Sequence, residues 1–149
     1  MYKHILAPTD GSDVAQRGVA EALSLAKATA ARLTIITVTE RLPIYPRGIG
    51  LPNPMSAATI ADYTAGQEQA ATSLLAGAKQ SAQTAGVPVD TLLVSKADPA
   101  EAIIEAAKAR DCDLIVMASH GRRGLGRLLL GSKTAEVVTQ SPCPVLVVR

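Results

Sequence analysis

Five short runs of aliphatic and β-branched residues alternate with four segments of helical periodicity, and this alternation restricts the fold more than any other feature. The runs are His4–Pro8, Arg32–Thr39, Val89–Ser95, Leu114–Ser119 and Pro144–Arg149. Between the first two, Val14, Val19, Ala22, Leu23, Leu25 and Ala26 share one broad helical face from Ser12 through Thr29. An alanine-rich segment, Ser56–Ala85, ends at Gly86 and Pro88. Gly66 and Gly77 lie inside it and count against an unbroken helix. Asp98 as N-cap, Pro99 at the first helical position and Glu101 as capping-box partner mark a third helix. Lys133–Gln140 reads as a fourth, ended by Ser141-Pro142. Strands alternating with helices predict a single α/β domain over residues 1–149: a parallel sheet with helices on both faces and right-handed crossovers.

Composition narrows the function. Apolar residues make up 48% of the chain, enough for a sizeable core. Trp and Phe are absent, and Tyr2, Tyr45 and Tyr63 are the only aromatics, too few to stack single-stranded nucleic acid. The net charge of +2 is scattered and forms no duplex-binding stripe, so no nucleic-acid partner is expected. Cys112 and Cys143 stand far apart without metal-type spacing, as reduced cytosolic cysteines do. No apolar run reaches the ~18 residues of a membrane span, and the start lacks a signal-peptide pattern. The expectation is a soluble cytoplasmic protein with no membrane partner.

In a doubly wound sheet, ligands sit beyond the carboxyl ends of the strands, where strand order reverses. Two loops qualify: Thr9–Ser12 (TDGS) and Ser119–Thr134 (SHGRRGLGRLLLGSKT). A third, Arg41–Pro54, holds four prolines and is long enough to suggest a functional or mobile loop. The second loop nearly matches two nucleotide motifs and fails both. Gly126 and Gly131 have P-loop spacing, but Ser132 precedes Lys133; a dinucleotide fingerprint needs glycine where Leu129 stands. The chemistry still suits an anion. Glycines permit close backbone approach, and a helix starting near Ser132 aims N–H groups and its positive dipole end at the loop. Arg122, Arg123, Arg127 and Lys133 add charge, and no carboxylate intervenes between Leu114 and Thr134. The bland alternative keeps Ser132 as an N-cap, the glycines as turn residues and the arginines as solvated charges.

The opening YKHILAPTDGSDVAQRGVAEAL and the closing DLIVMASHGRRGLGRLLLGSKTAEVVTQSPCPVLVVR resemble the universal stress protein family, and the likeness spans essentially the whole chain. The nucleotide-binding branch of that family carries G-x-x-G, nine residues, then G-[S/T]. Gly121, Gly131 and Ser132 fit the spacing; Ala118 replaces the first glycine, so its methyl is expected near the ligand and positive φ is disfavoured. The resemblance implies a Rossmann-like open five-stranded parallel sheet of order 3-2-1-4-5, binding ATP or another adenine nucleotide, with Mg2+ accompanying the phosphates. By position it implies Pro8 and Thr9 on the adenine side, Asp10 near base and ribose, and Val38 on the adenine. It puts Met117 and Ala118 beneath the nucleotide, and Ser119, His120, Gly121, Arg122 and Arg123 around ribose and phosphates. Gly131, Ser132, Lys133 and Thr134 would bind phosphates at the helix start. Asp10 has the alternative of a turn residue, and Val38 and Met117 that of core. His120 has only His4 as a fellow histidine and no Cys/His cluster, so it is not read as a metal ligand.

No nucleophile, base and orienting group form a visible catalytic set. The expectation is a regulatory nucleotide-binding protein with slow or no ATP turnover, linked by the resemblance to survival under stress. Two alternatives stay open: a weak Mg-dependent ATPase or phosphotransferase using Asp10, and a nucleotide-free dimerisation scaffold. The closing CPVLVVR, placed at a sheet edge, would expose unpaired backbone beside aliphatic side chains, so a homodimer through that strand is expected.

Overall fold

The computed structural model describes residues 1–42, 56–120 and 130–149. In chain order the elements are β1 (His4–Pro8), α1 (Asp13–Thr29), β2 (Arg32–Val38), α2 (Ala57–Thr84), β3 (Val89–Val94), α3 (Pro99–Ala109), β4 (Leu114–Ala118), α4 (Ser132–Gln140) and β5 (Val145–Val148). The strands form one parallel sheet of order β3-β2-β1-β4-β5, the Rossmann-like arrangement the sequence implied. Strands two to five stop or start a residue inside the sequence boundaries, and α4 starts one residue earlier than expected, at Ser132.

Two-residue periodicity divides the core. Ile5, Ala7, Leu33, Ile35, Leu114 and Val116 face Ala22 and Ala26 of α1 and Leu75 and Ala82 of α2. Leu6, Ile36, Ile115 and Met117 face Ala100, Ile103, Ala106 and Ala107 of α3 and Val137 of α4. Burial on both faces explains the continuous apolar runs of the central strands β1, β2 and β4; the edge strands β3 and β5 are only partly buried.

Helix α2 is continuous over 28 residues despite Gly66 and Gly77. At both glycines the direction a Cβ would take meets nothing within 4 Å. Each costs about 1 kcal/mol of helix propensity, which packing of Ala71, Leu75 and Ala82 outweighs. At 1.5 Å per residue the helix is about 42 Å long, whereas seven-residue β2 spans roughly 23 Å. No residue from Ala57 to Ala70 is buried, so the first half of α2 overhangs the carboxyl end of the sheet.

Three helices carry a side-chain cap. Ser12 accepts from the Ala15 N–H, Ser56 from the Thr59 N–H, and Asp98 from both Ala100 and Glu101. The Asp98 cap is one-sided: among the described residues the Glu101 carboxylate returns no bond, so the expected capping box is half formed. Helix α4 has Gly131 at its N-cap and no side-chain cap bond.

At the amino ends of the strands, His4 is buried. Its Nδ1 lies 2.8 Å from the Arg110 carbonyl, and its Nε2 lies 2.8 Å from Thr34 Oγ1. A carbonyl only accepts, so Nδ1–H donates to it and a neutral ring accepts the Thr34 hydroxyl at Nε2. Burial holds the imidazole pKa below its ordinary value. The Asp113 carboxylate accepts from the backbone N–H groups of Lys3 and His4 at 2.8 and 3.0 Å. Both cysteines are free, and burial pushes the Cys112 thiol up to about 11. Among the described residues no helix is long and apolar enough to cross a membrane.

Candidate functional site

Strand order reverses between β1 and β4, because β1 leads outward to β2 on one side and β4 to β5 on the other. A cleft of about 720 Å³ opens over this reversal. That volume suits a small organic ligand. Its floor is Pro8–Gly11 beyond β1, Ile36–Glu40 at the end of β2, and Met117, Ala118 and His120 at the end of β4. The overhanging half of α2 supplies one wall through Tyr63, Gln67, Ala70, Ala71 and Leu74. Pro99 and Ile103 of α3, with Gly131–Thr134, close the other side.

The loop after β1 is built by short-range hydrogen bonds. The Thr9 N–H extends the ladder to the Ile36 carbonyl at 2.9 Å, and Thr37 Oγ1 donates to the Thr9 carbonyl at 3.0 Å. Gly11 has φ +81°, a conformation that favours glycine, and its N–H donates to Thr9 Oγ1 at 3.2 Å. Asp10 Oδ1 accepts from the Ser12 N–H at 2.9 Å, closing an Asx turn. Asp10 is therefore a turn residue and a wall of the cleft at once.

The end of β4 is shaped by proximity. The Gly131 N–H donates to the Ser119 carbonyl at 2.8 Å, and the Ser119 N–H donates to the Val148 carbonyl at 2.7 Å. Gly131 has φ −58°, so it is not a left-handed position. A Cβ there would lie 3.1 Å from His120 Cα and 3.2 Å from the Ser119 oxygen. Closeness of two backbones, not positive φ, is what favours glycine here. Ala118 lies within β4 and is not among the positive-φ residues Ala30, Lys96 and Asp111. The conformational penalty expected of alanine at this position does not arise, because an extended strand accepts a Cβ. Gly18 of α1 shows the same close approach: a Cβ would meet the Ala118 nitrogen at 3.1 Å.

The start of α4 combines open backbone donors with a committed side chain. The first-turn N–H groups of Ser132, Lys133 and Thr134 belong to a helix end without a side-chain cap. Thr134 Oγ1 is buried and donates to the Ala118 carbonyl at 3.0 Å, tying α4 to β4. Lys133 Nζ donates to Asp98 Oδ2 and approaches Glu136 Oε2 at 3.4 Å. Hydrogen bonding to Lys133 lowers the Asp98 pKa, and the same bond raises that of Lys133.

Of the residues singled out in the sequence, Pro8, Thr9, Asp10, Val38, Met117, Ala118, His120, Gly131, Ser132, Lys133 and Thr134 meet in this one cleft. Ser119 is buried beside it, with its hydroxyl 3.0 Å from His120 Nδ1, and does not line it. Gly121, Arg122 and Arg123 lie outside the described residues, as does nearly all of the proline-rich loop. The α2 wall went unread in the sequence. Its signal was the spacing of Tyr63, Gln67, Ala70, Ala71 and Leu74, which puts them on one helical face.

The family model describing the universal stress protein family matches residues 1–149. A universal stress protein of Thermus aquaticus is 37% identical over 149 residues, covering 100% of both chains. UspA of Lactobacillus plantarum superposes with a TM-score of 0.84 at 27% identity, covering 99% of this chain and 98% of that one. A universal stress protein solved in complex with cAMP is 29% identical, with a TM-score of 0.69, covering 99% of this chain and 97% of that one.

Proposed function

Starting from the chain's membership of the universal stress protein family, we propose that it is a cytoplasmic, adenine-nucleotide-binding regulatory protein of the stress response. The observation that carries this reading is the make-up of one cleft: an apolar bed at one end and an uncapped helix start at the other. The base lies against Pro8, Val38 and Met117, and the ribose lies near Asp10. The phosphates point to the first-turn N–H groups of Ser132, Lys133 and Thr134, where the helix dipole favours negative charge. The family resemblance assigns Gly121, Arg122 and Arg123 to the same phosphates, and ATP brings Mg2+ with it. The relative bound to cAMP supports an adenine ligand.

Turnover is slow or absent in this reading. Asp10 is the acidic candidate for activating a water, and one of its oxygens is held by the Ser12 N–H, which favours a positional role. The output is a nucleotide-dependent change in partner binding. Assembly is a homodimer through β5. That strand ends the sheet beside β4, and Leu146 on it is 39% exposed.

The test uses protein as purified, without added nucleotide. After desalting and denaturation, released small molecules are identified by mass spectrometry, alongside a Gly121→Val/Gly131→Val variant, and titrations with AMP and Mg-ATP follow. Adenine nucleotide from the wild type alone, or micromolar binding that the variant loses, is the expected result. A wild type that releases nothing and binds neither nucleotide overturns the reading in favour of a dimerisation scaffold.

A further inference from the structure

Among the described residues that line the cleft, Lys133 is the only lysine or arginine. It does not stand free. Asp98 Oδ1 is fixed by the Ala100 and Glu101 N–H groups at the start of α3, and Asp98 Oδ2 takes Lys133 Nζ. Glu136, one turn further along α4, adds a second carboxylate. Both oxygens of Asp98 are therefore engaged, one by its own helix and one by the lysine of the neighbouring helix. The pair is partly exposed, with side chains 44% and 36% accessible, so a competing anion can reach it.

A monophosphate needs no cation side chain at this helix start, because backbone N–H groups alone can meet it. Each further phosphate adds negative charge at the helix start, where a cation side chain gains more from a longer phosphate chain. The longer the phosphate chain, the more Lys133 can contribute to holding it.

We propose that Asp98 is a positioning residue that competes with a bound ligand for the Lys133 ammonium, and so weakens polyphosphate nucleotides relative to monophosphates. The inference rests on the adenine-nucleotide reading and makes phosphate number the specificity the site controls. With ATP the lysine exchanges Asp98 for a phosphate oxygen; with AMP it does not.

The experiment is calorimetric titration of wild type, Asp98→Asn, Lys133→Met and the double variant with AMP, ATP and inorganic tripolyphosphate at low ionic strength. Asparagine retains the N-cap and removes the charge. Asp98→Ser, also a good cap, repeats the test if Asn unfolds the protein. Asp98→Asn is expected to raise ATP affinity about fivefold and to leave AMP within about twofold. The gain is expected to shrink when Lys133 is already Met, a non-additivity that bare removal of a negative charge would not produce. An equal gain for AMP and ATP, an equal gain with and without Lys133, or no gain overturns the proposal. Proteins that bind neither nucleotide while Asp98→Asn tightens tripolyphosphate through Lys133 would sink the adenine reading, and with it the nucleotide selectivity proposed here, leaving only the competition between Asp98 and a polyphosphate for Lys133. If no variant binds any of the three probes, both fall.

Discussion

The amino and carboxyl ends of the central strands handle polar groups differently. At the amino end, His4, Thr34, Arg110 and Asp113 satisfy one another within the protein. At the carboxyl end, hydrogen bonds such as Thr134 to Ala118 and Gly131 to Ser119 hold the walls in place, while α4 begins without a side-chain cap. The same sheet thus has a closed end that serves stability and an open end arranged around a cleft. The contrast follows from parallel topology. Helix amino termini gather where strands finish, so donors collect at one end of the sheet.

The strongest way to break this contrast is Gly131→Val. A branched side chain where even a Cβ would lie 3.2 Å from the Ser119 carbonyl must displace the 119–120 backbone. Nucleotide affinity is expected to fall by about 10- to 100-fold in calorimetry. Unchanged binding would mean that this close approach does not shape the cleft.

His4→Ala probes the closed end. Losing the ring strands the Thr34 hydroxyl and the Arg110 carbonyl, and urea unfolding should register about 1–3 kcal/mol of lost stability. Nucleotide affinity should not change, since His4 does not line the cleft. The ring also predicts a pH effect. Its folded pKa lies below the ordinary 6.5, so the unfolded chain binds the proton more readily. The wild type is therefore expected to keep full stability from this group above 6.5 and to lose it as pH falls toward the lowered folded value. His4→Ala should flatten that limb of the pH profile, and an unflattened limb would assign the loss to other groups.

Val147→Asp sharpens the comparison from the sheet edge, which belongs to neither end. It puts a charge on β5, and the proposed dimer should weaken at least about tenfold in sedimentation equilibrium. A mass independent of this change would move the contact elsewhere. Ala118→Gly should do least. Its backbone is already extended, so nucleotide affinity is expected to stay within about twofold, with strand stability falling by about 0.5–1 kcal/mol in thermal unfolding. A large gain in affinity would show that the Ala118 methyl obstructs the ligand after all.

The strands were legible because each is a short, mainly aliphatic run; β1, β2 and β4 are buried on both faces, whereas the edge strands β3 and β5 are only partly buried. Ser12 and Asp98 were legible as helix starts because a cap acts within three residues of its own chain. The β1 turn was legible for the same reason. The α2 wall was harder to read: its lining residues are mostly alanine and polar, a pattern that fits a solvated face as well as a ligand-facing one. What distinguishes the two is the overhang of α2 beyond the sheet, which depends on where β2 and β3 place the helix.

Local patterning by itself determined the parallel α/β architecture and brought the TDGS and GSKT segments to one end of it, since periodicity and capping operate over a few residues. Tertiary structure decided what individual groups do there. The partner of Lys133 lies 35 residues away, the Thr134 hydroxyl goes to a carbonyl 16 residues back, and Gly131 is favoured by a neighbouring backbone rather than by its own torsion angle. Such roles depend on distances between elements, and distances between elements exist only once the helices have packed on the sheet.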